Sequence, residues 1–390
     1  MFDFDTLVSR EGTDSLKWDL KPGELPMWVA DMDFVTAPAI RKTIENRIAN
    51  GIFGYTIVPD AWAEAYTRWW QCRHGFEMQK DWLIFCTGAV PAISSMVRKL
   101  TTPNENVLLL TPVYNIFFNS IINNGCRPLE CPLKLEGTDY SIDFAALEEG
   151  LANEQTTLMI LCNPHNPVGR IWTRDELEKI GELCHKYHVT VISDELHCEL
   201  VAPGEQYTPF AAVNDTCRSI SVTCISPSKT FNLAGLQGAA VCVADPFLRH
   251  KVWRALNTDE VAEPNILACI SAVAAFTEGK EWLEELRAIL WRNRAYAVEQ
   301  LKQHVPQAVC IPALATYLLW LDCRNITSDT EALAGFIRRE TGLVVTEGDE
   351  YGLSGKGFLR INLACPMPRL KDGIARLCNG LNAFIAKGND

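Results

Sequence analysis

Short apolar runs, each closed by a turn carrying polar residues, recur through the chain at 82–87, 107–110, 158–161, 189–193, 219–225 and 238–244. Helical patterns lie between several of them. Residues 61–75 repeat with helical period, and 173–187 opens on Thr173-Arg174-Asp175-Glu176, a capping box whose side chains satisfy free amides of the first turn. Such alternation predicts parallel strands joined by helical crossovers, and open sheets of that kind gather ligands at the carboxyl ends of their strands. Gly88, Tyr114, Asn166, Asp194 and Lys229 all follow such an end.

The run 219–225 delivers Ser226-Pro227-Ser228-Lys229-Thr230-Phe231-Asn232 into a turn. A protonated lysine is a poor nucleophile and becomes a useful one where its surroundings lower its pKa. The neighbouring hydroxyls suit a phosphate. Taken alone, the stretch reads as a surface lysine in a polar loop; its company elsewhere reverses that. Gly88-Ala89-Val90-Pro91 at a helix start leaves amides free for an anion, a weak signal because such turns are common. Arg360 stands inside the apolar run 358–363, where it needs either a ligand carboxylate, which its planar fork fits, or an internal ion pair. Gly51-Ile52-Phe53-Gly54-Tyr55 presents Tyr55 on an exposed bend. In Ala30-Asp31-Met32-Asp33 the two aspartates have no third oxygen cluster at calcium-loop spacing, so the segment either lines a substrate pocket or forms a structural turn.

With 390 residues the chain is expected to form two domains, one of them discontinuous. The amino-terminal 45 residues are turn-rich until a helix begins after Pro38, and two helices are expected across 264–304. Beyond them the pattern gives a smaller α/β unit: strand 316–322, helix 329–341, strand 343–346, a Gly-rich loop 347–357, strand 358–363 and helix 368–386. A net charge of −12 argues against nucleic acid or an anionic membrane as partner. No signal-peptide pattern opens the sequence, the apolar run 266–276 is too short to span a bilayer, and a cytoplasmic protein is expected. Fifteen scattered cysteines, odd in number and without a C-x-x-C pair, read as small buried hydrophobes kept reduced, and no metal is expected.

A cofactor with a pyridine ring, a phosphate and an aldehyde needs an acid at the ring nitrogen, donors at the ring oxygen and a lysine at the aldehyde. Asp194, Asn166 with His197, and Lys229 have the right chemistry, and Tyr114 suits stacking on a ring. The segments Asn163-Pro164-His165-Asn166-Pro167-Val168-Gly169, Ser193-Asp194-Glu195-Leu196-His197 and Ser226–Asn232, in this order, resemble the pyridoxal-phosphate (PLP) enzymes of the class I/II aminotransferase fold, fold type I. Within it the chain is similar to the MalY/PatB-type cystathionine β-lyases. Phe2-Asp3-Phe4, Val29–Phe34, Phe53-Gly54-Tyr55, Thr316-Tyr317-Leu318 and Phe358–Asn362 fit that group, and the resemblance covers nearly the whole chain.

That resemblance implies an α/β fold: a large domain, 46–284, with a mostly parallel central sheet flanked by helices, and a smaller α/β domain formed by 1–45 and 285–390. It implies Lys229 as the amine that holds the cofactor's aldehyde, Asp194 at the ring nitrogen, Asn166 near the ring oxygen with His197 beside it, and Tyr114 over the ring. Gly88, the amides of Ala89 and Val90, Ser226 and Ser228 would hold the phosphate, helped by Tyr55 from a second subunit of a homodimer with shared sites. Arg360 would take the α-carboxylate of an amino-acid substrate, with Asn166, Ala30, Asp31 and Tyr55 nearby. Two departures from ordinary aminotransferases accord with the lyase group: Gln237 where a phosphate-binding Arg is usual, and His197 where Tyr is usual. Glu347 departs from the lyase group itself, standing in a pocket-bordering loop where Pro is common. The reaction implied is α,β-elimination from a sulfur amino acid. An aminotransferase, or a regulatory protein that keeps the fold and cofactor, are the alternatives. No G-x-G-x-x-G or P-loop motif occurs to support a nucleotide-binding protein.

Overall fold

The computed structural model describes residues 2–388. Its central feature is a seven-stranded sheet in the order Leu83–Cys86, Ala239–Cys242, Ser221–Ile225, Thr190–Asp194, Thr156–Cys162, Asn106–Thr111 and Arg127–Pro132. The last five strands in that order pair in parallel. Ala239–Cys242 alone runs antiparallel to both neighbours. Its connection to Ser221–Ile225 is the lysine-bearing turn, which holds only the short 3-10 helix Ala234–Leu236 and no crossover helix, so the chain returns in the opposite direction.

Strands buried on both faces read as continuous apolar runs, and Val107 to Leu110, Leu158 to Leu161 and Val222 to Ile225 are almost wholly inaccessible. The helix Arg174–Lys186 opens with the expected capping box: Thr173 Oγ1 accepts from the Glu176 amide, and the Glu176 carboxylate accepts from the Thr173 amide at 2.8 Å. The run taken as 219–225 begins two residues later, because Ser219 closes the short helix Asp215–Ser219.

A four-stranded antiparallel sheet, Val309–Cys310, Leu318–Asp322, Phe358–Asn362 and Thr346–Glu347 in that order, lies in the carboxyl-terminal part. The strand expected over 343–346 is two strands in two sheets: Leu343–Val344 pairs in parallel with Leu25–Pro26, and Thr346–Glu347 pairs with Phe358–Asn362. The loop 347–357 contains two 3-10 turns, Gly348–Tyr351 and Leu353–Gly355.

Helix Lys280–His304 fixes the ends of this smaller sheet from its buried face. Asn293 Nδ2 donates to the Leu363 and Cys365 carbonyls, and Arg294 donates to those of Thr316 and Leu318. Burial lowers the Arg294 pKa to about 10, a cost offset by these carbonyl contacts. All fifteen cysteines are unpaired, and thirteen are buried.

Candidate active site

The strand register gathers the chemistry at one edge of the large sheet. Cys162, Asp194 and Cys224 sit abreast as pairing partners at the carboxyl ends of three adjacent strands. Beyond them opens a cavity of about 180 Å³ lined by Ala30, Gly88, Ala89, Val90, Tyr114, Asn166, Asp194, His197, Ser226, Ser228, Lys229 and Gln237, among others. Residues spread over more than 200 positions of sequence thus share one small space. A larger cavity of about 570 Å³ lies elsewhere, around Trp69, Arg73, His74 and Glu199. Its buried carboxylate, Glu199, is already filled by three donors.

Lys229 Nζ donates to the Ala30 carbonyl at 2.8 Å. The amine keeps some surface open to the cavity while protein encloses it. That burial, with the Arg360 charge, pulls its pKa down to about 8, against the opposing pull of Asp31 and Asp194. Burial raises the Asp194 carboxyl to about 6, although the Leu196 amide donates to it at 3.2 Å and the Lys229 charge favours ionisation. His197 is driven down to about 3 by burial and the Lys229 and Arg360 charges, so it is a neutral imidazole. Burial likewise raises the Tyr114 hydroxyl.

Gly88 precedes helix Ala89–Leu100 with φ 152°, and no side chain caps the helix. The bare glycine permits that turn, and the first amides and the positive end of the helix dipole face the cavity's end. Ser226 Oγ donates to the Gly238 carbonyl at 2.7 Å and accepts from the Ser228 amide at 3.1 Å, which fixes this turn of the cavity lining. Gln237 lines the same end.

Several buried polar atoms have no protein partner: Asn166 Oδ1, His197 Nδ1, and Arg360 Nε and Nη1. Arg360 is only 6% exposed. Its Nη2 donates to the Trp28 carbonyl at 2.9 Å and its guanidinium lies 4.9 Å from the Tyr351 ring centre. Unpaired donors on a buried guanidinium are costly without an anion. A lysine of lowered pKa, a buried carboxyl, an amide-lined cradle and these orphaned atoms form a donor set that fits PLP and an amino acid.

Two expected site residues stand apart. Tyr55 is fully exposed and outside the cavity lining, as a residue intended for a second subunit would be in one chain. Asp31 is paired with Arg10 at 2.8 Å and Lys17 at 3.4 Å, and lines a neighbouring cavity with Arg10 and Asn232. Asp33 is bound by Lys17, Arg10 and Arg369. Both aspartates therefore neutralise cations that pin the 29–34 segment.

Two residues were missed by sequence reasoning. The Tyr317 hydroxyl donates to the Ala30 carbonyl at 2.9 Å, so that oxygen receives both Tyr317 and Lys229. Asn232, at φ 57°, accepts from the Met32 amide at 3.0 Å and donates to the Met32 and Phe34 carbonyls. Asn tolerates this left-handed conformation, and an Asn three residues beyond the lysine was the available signal.

Fold and site together define a pyridoxal-phosphate enzyme of fold type I. The chain belongs to the aminotransferase class I and II family, whose model matches residues 29–377. The group within it is the MalY/PatB type. The chain is 40% identical to cystathionine beta-lyase PatB of Bacillus subtilis (strain 168), across 96% of this chain and 98% of that protein. It is 32% identical to protein MalY of Escherichia coli (strain K12), across 98% of this chain and 100% of that protein. Among solved structures, cystalysin of Treponema denticola, which contains pyridoxal 5'-phosphate, superposes with a TM-score of 0.95 at 30% identity, covering 98% of this chain and all of that one.

Proposed function

We propose that the chain is a PLP-dependent carbon–sulfur β-lyase that converts L-cystathionine or a related sulfur amino acid to a thiol, pyruvate and ammonia. The observation that carries this reading is the enclosure of Lys229, at a pKa of about 8, in one cavity with Asp194 and Asn166, together with the buried Arg360 guanidinium whose Nε and Nη1 have no partner. The relatives named as cystathionine β-lyases and the substitutions at Gln237 and His197 support it further.

When bound, PLP supplies an aldehyde that condenses with amines and a ring that withdraws electrons from the substrate's Cα. Lys229 would hold the aldehyde, Asn166 would donate to the ring oxygen, and Tyr114 would cover the ring. Asp194 would hold a proton at the ring nitrogen, and a cation there would offset the burial that raises its pKa. The Ala89 and Val90 amides, Ser226 and Ser228 would receive the phosphate. Arg360 orients the substrate by its α-carboxylate through two parallel hydrogen bonds. The Lys229 amine takes the Cα proton and returns a proton to the departing sulfur, serving in turn as base and acid. His197, neutral near pH 7, serves as a hydrogen-bonding wall and not as the acid.

Homodimer formation belongs to the same reading. The exposed strip Ile52, Phe53, Tyr55 and Ile57 supports it, since a run of large apolar side chains open to water favours a covering surface. A cytoplasmic location is supported by the unpaired cysteines, and among the described residues no helix is long and apolar enough to cross a membrane. The division into 46–284 against 1–45 with 285–390 is likewise proposed, supported by the separation of the seven-stranded sheet from the four-stranded one.

The test is pyruvate formation from L-cystathionine with no 2-oxo acid added. A lyase turns over continuously, whereas an aminotransferase stops after one turnover per site, and the latter outcome would sink the proposal.

A further inference from the structure

The loop 347–357 brings the Glu350 carboxylate into a hydrogen bond with Asn115 and within electrostatic reach of Arg360. Glu350 Oε2 accepts from Asn115 Nδ2 at 2.8 Å, and Asn115 follows Tyr114 of the cavity wall. On its other side Glu350 precedes Tyr351, whose ring packs against the Arg360 guanidinium at 4.9 Å. The carboxylate is therefore set between Asn115, which adjoins Tyr114 of the cavity wall, and Tyr351, which packs on Arg360. It does not neutralise the arginine through Nε or Nη1, which have no hydrogen-bond partner although Arg360 is only 6% exposed. Partial burial and the neighbouring Glu347 raise the Glu350 pKa, while Arg360 and Asn115 pull it down.

A buried cation with free donors demands an anion, and a carboxylate beside it that leaves those donors empty remains available to a positive group of the same ligand. An amino acid with a charged side arm presents both. Resting on the lyase reading, we propose that Glu350, positioned by Asn115, selects the charge on the departing arm of the substrate. It favours a thioether amino acid whose arm ends in an ammonium and disfavours one whose arm ends in a carboxylate. Because Glu350 is exposed, its pull has the strength of a surface pair, is screened by salt and is felt in KM.

Three thioethers of similar size separate the cases: S-(2-aminoethyl)-L-cysteine with a cationic arm, S-propyl-L-cysteine with a neutral one and S-(carboxymethyl)-L-cysteine with an anionic one. Pyruvate formation without acceptor is measured for the holoenzyme and for Glu350→Gln and Glu350→Lys. The expected result is that the cationic-to-anionic ratio of kcat/KM falls roughly three- to tenfold in Glu350→Gln and further in Glu350→Lys. The change resides in KM and shrinks at about 0.5 M salt. A ratio that stays constant, or an equal change on all three thioethers, overturns charge selection and leaves the lyase reading standing. Absence of pyruvate from every thioether overturns the lyase reading itself, and the proposal with it.

Discussion

The ammonium of Lys229 and the carbonyl of Ala30, 199 residues apart in sequence, meet at 2.8 Å. The Tyr317 hydroxyl donates to the same oxygen at 2.9 Å. The acceptor holds the amine within the cavity and lets it leave, since a single hydrogen bond to a neutral carbonyl is modest in strength.

Replacing Lys229 by Ala removes the amine proposed as both tether and base. Turnover should fall by at least about 10²- to 10⁴-fold, the size of a lost general base. Borohydride reduction of the holoenzyme followed by mass spectrometry should fix the cofactor on residue 229 of the wild type and on nothing in the variant. A variant that retained the covalent label would refute the assignment.

The lowered pKa of Lys229 has a direct readout. Its neutral amine, the form that condenses with an aldehyde, prevails above about pH 8 and not only above 10.5. Uptake of PLP by cofactor-free protein, followed by absorbance, should therefore accelerate as pH rises through 8 and then level off. The Arg360 charge contributes to the depression, so Arg360→Gln should move that midpoint upward. A profile still rising steeply at pH 10 would contradict the lowered value.

Gln237 lines the cavity at the position proposed to adjoin the phosphate, and among the cavity's lining residues Lys229 is the one cationic side chain. Gln237→Arg keeps the left-handed backbone at φ 53° no more strained than before and adds a charge-assisted contact. PLP dissociation should tighten by about tenfold, the equivalent of about 1.4 kcal/mol, measured by equilibrium dialysis. Unchanged affinity would place the phosphate elsewhere.

Glu199, 2% exposed, receives Trp69 Nε1 at 2.6 Å, Arg73 Nε at 2.7 Å and His74 Nε2 at 2.8 Å. Burial works to raise its pKa, yet the hydrogen bond and charge of His74, the Arg73 charge and the Trp69 hydrogen bond hold it at about 2. Because the folded value lies below the ordinary 4.5, the stabilisation is complete above pH 4.5 and is lost as pH falls towards 2. Glu199→Ala should cost about 3–5 kcal/mol near pH 7 in a denaturant titration, and the variant should lack this acid-sensitive component. The same three donors already engage both oxygens of the carboxylate in the His74, Cys198 and Glu199 cluster.

The parallel strands and their catalytic ends were legible because strands buried on both faces are written as unbroken apolar runs. Thr190–Asp194 and Thr156–Cys162 show this plainly, each followed at once by polar residues with a task. Strand Arg127–Pro132 was not legible: as an edge strand it carries charge and two prolines, and its residues are mostly half exposed. The division of 343–346 between two sheets was hidden for another reason. A continuous apolar stretch does not say which partner each residue bonds, and here the partners lie at opposite ends of the chain. The role of Tyr317 was not legible because it is to donate to a backbone carbonyl, an acceptor that every residue carries.

Leu25–Pro26 pairs with Leu343–Val344, the Asn362 amide donates to the Met27 carbonyl, and the Asn362 side chain donates to the Val29 and Asp31 carbonyls. These ties set the Ala30 oxygen in front of Lys229. During synthesis the lysine and its strand emerge long before residues 343–362 do. A nascent polypeptide stopped short of them would hold a finished pocket floor with nothing to fasten its lid.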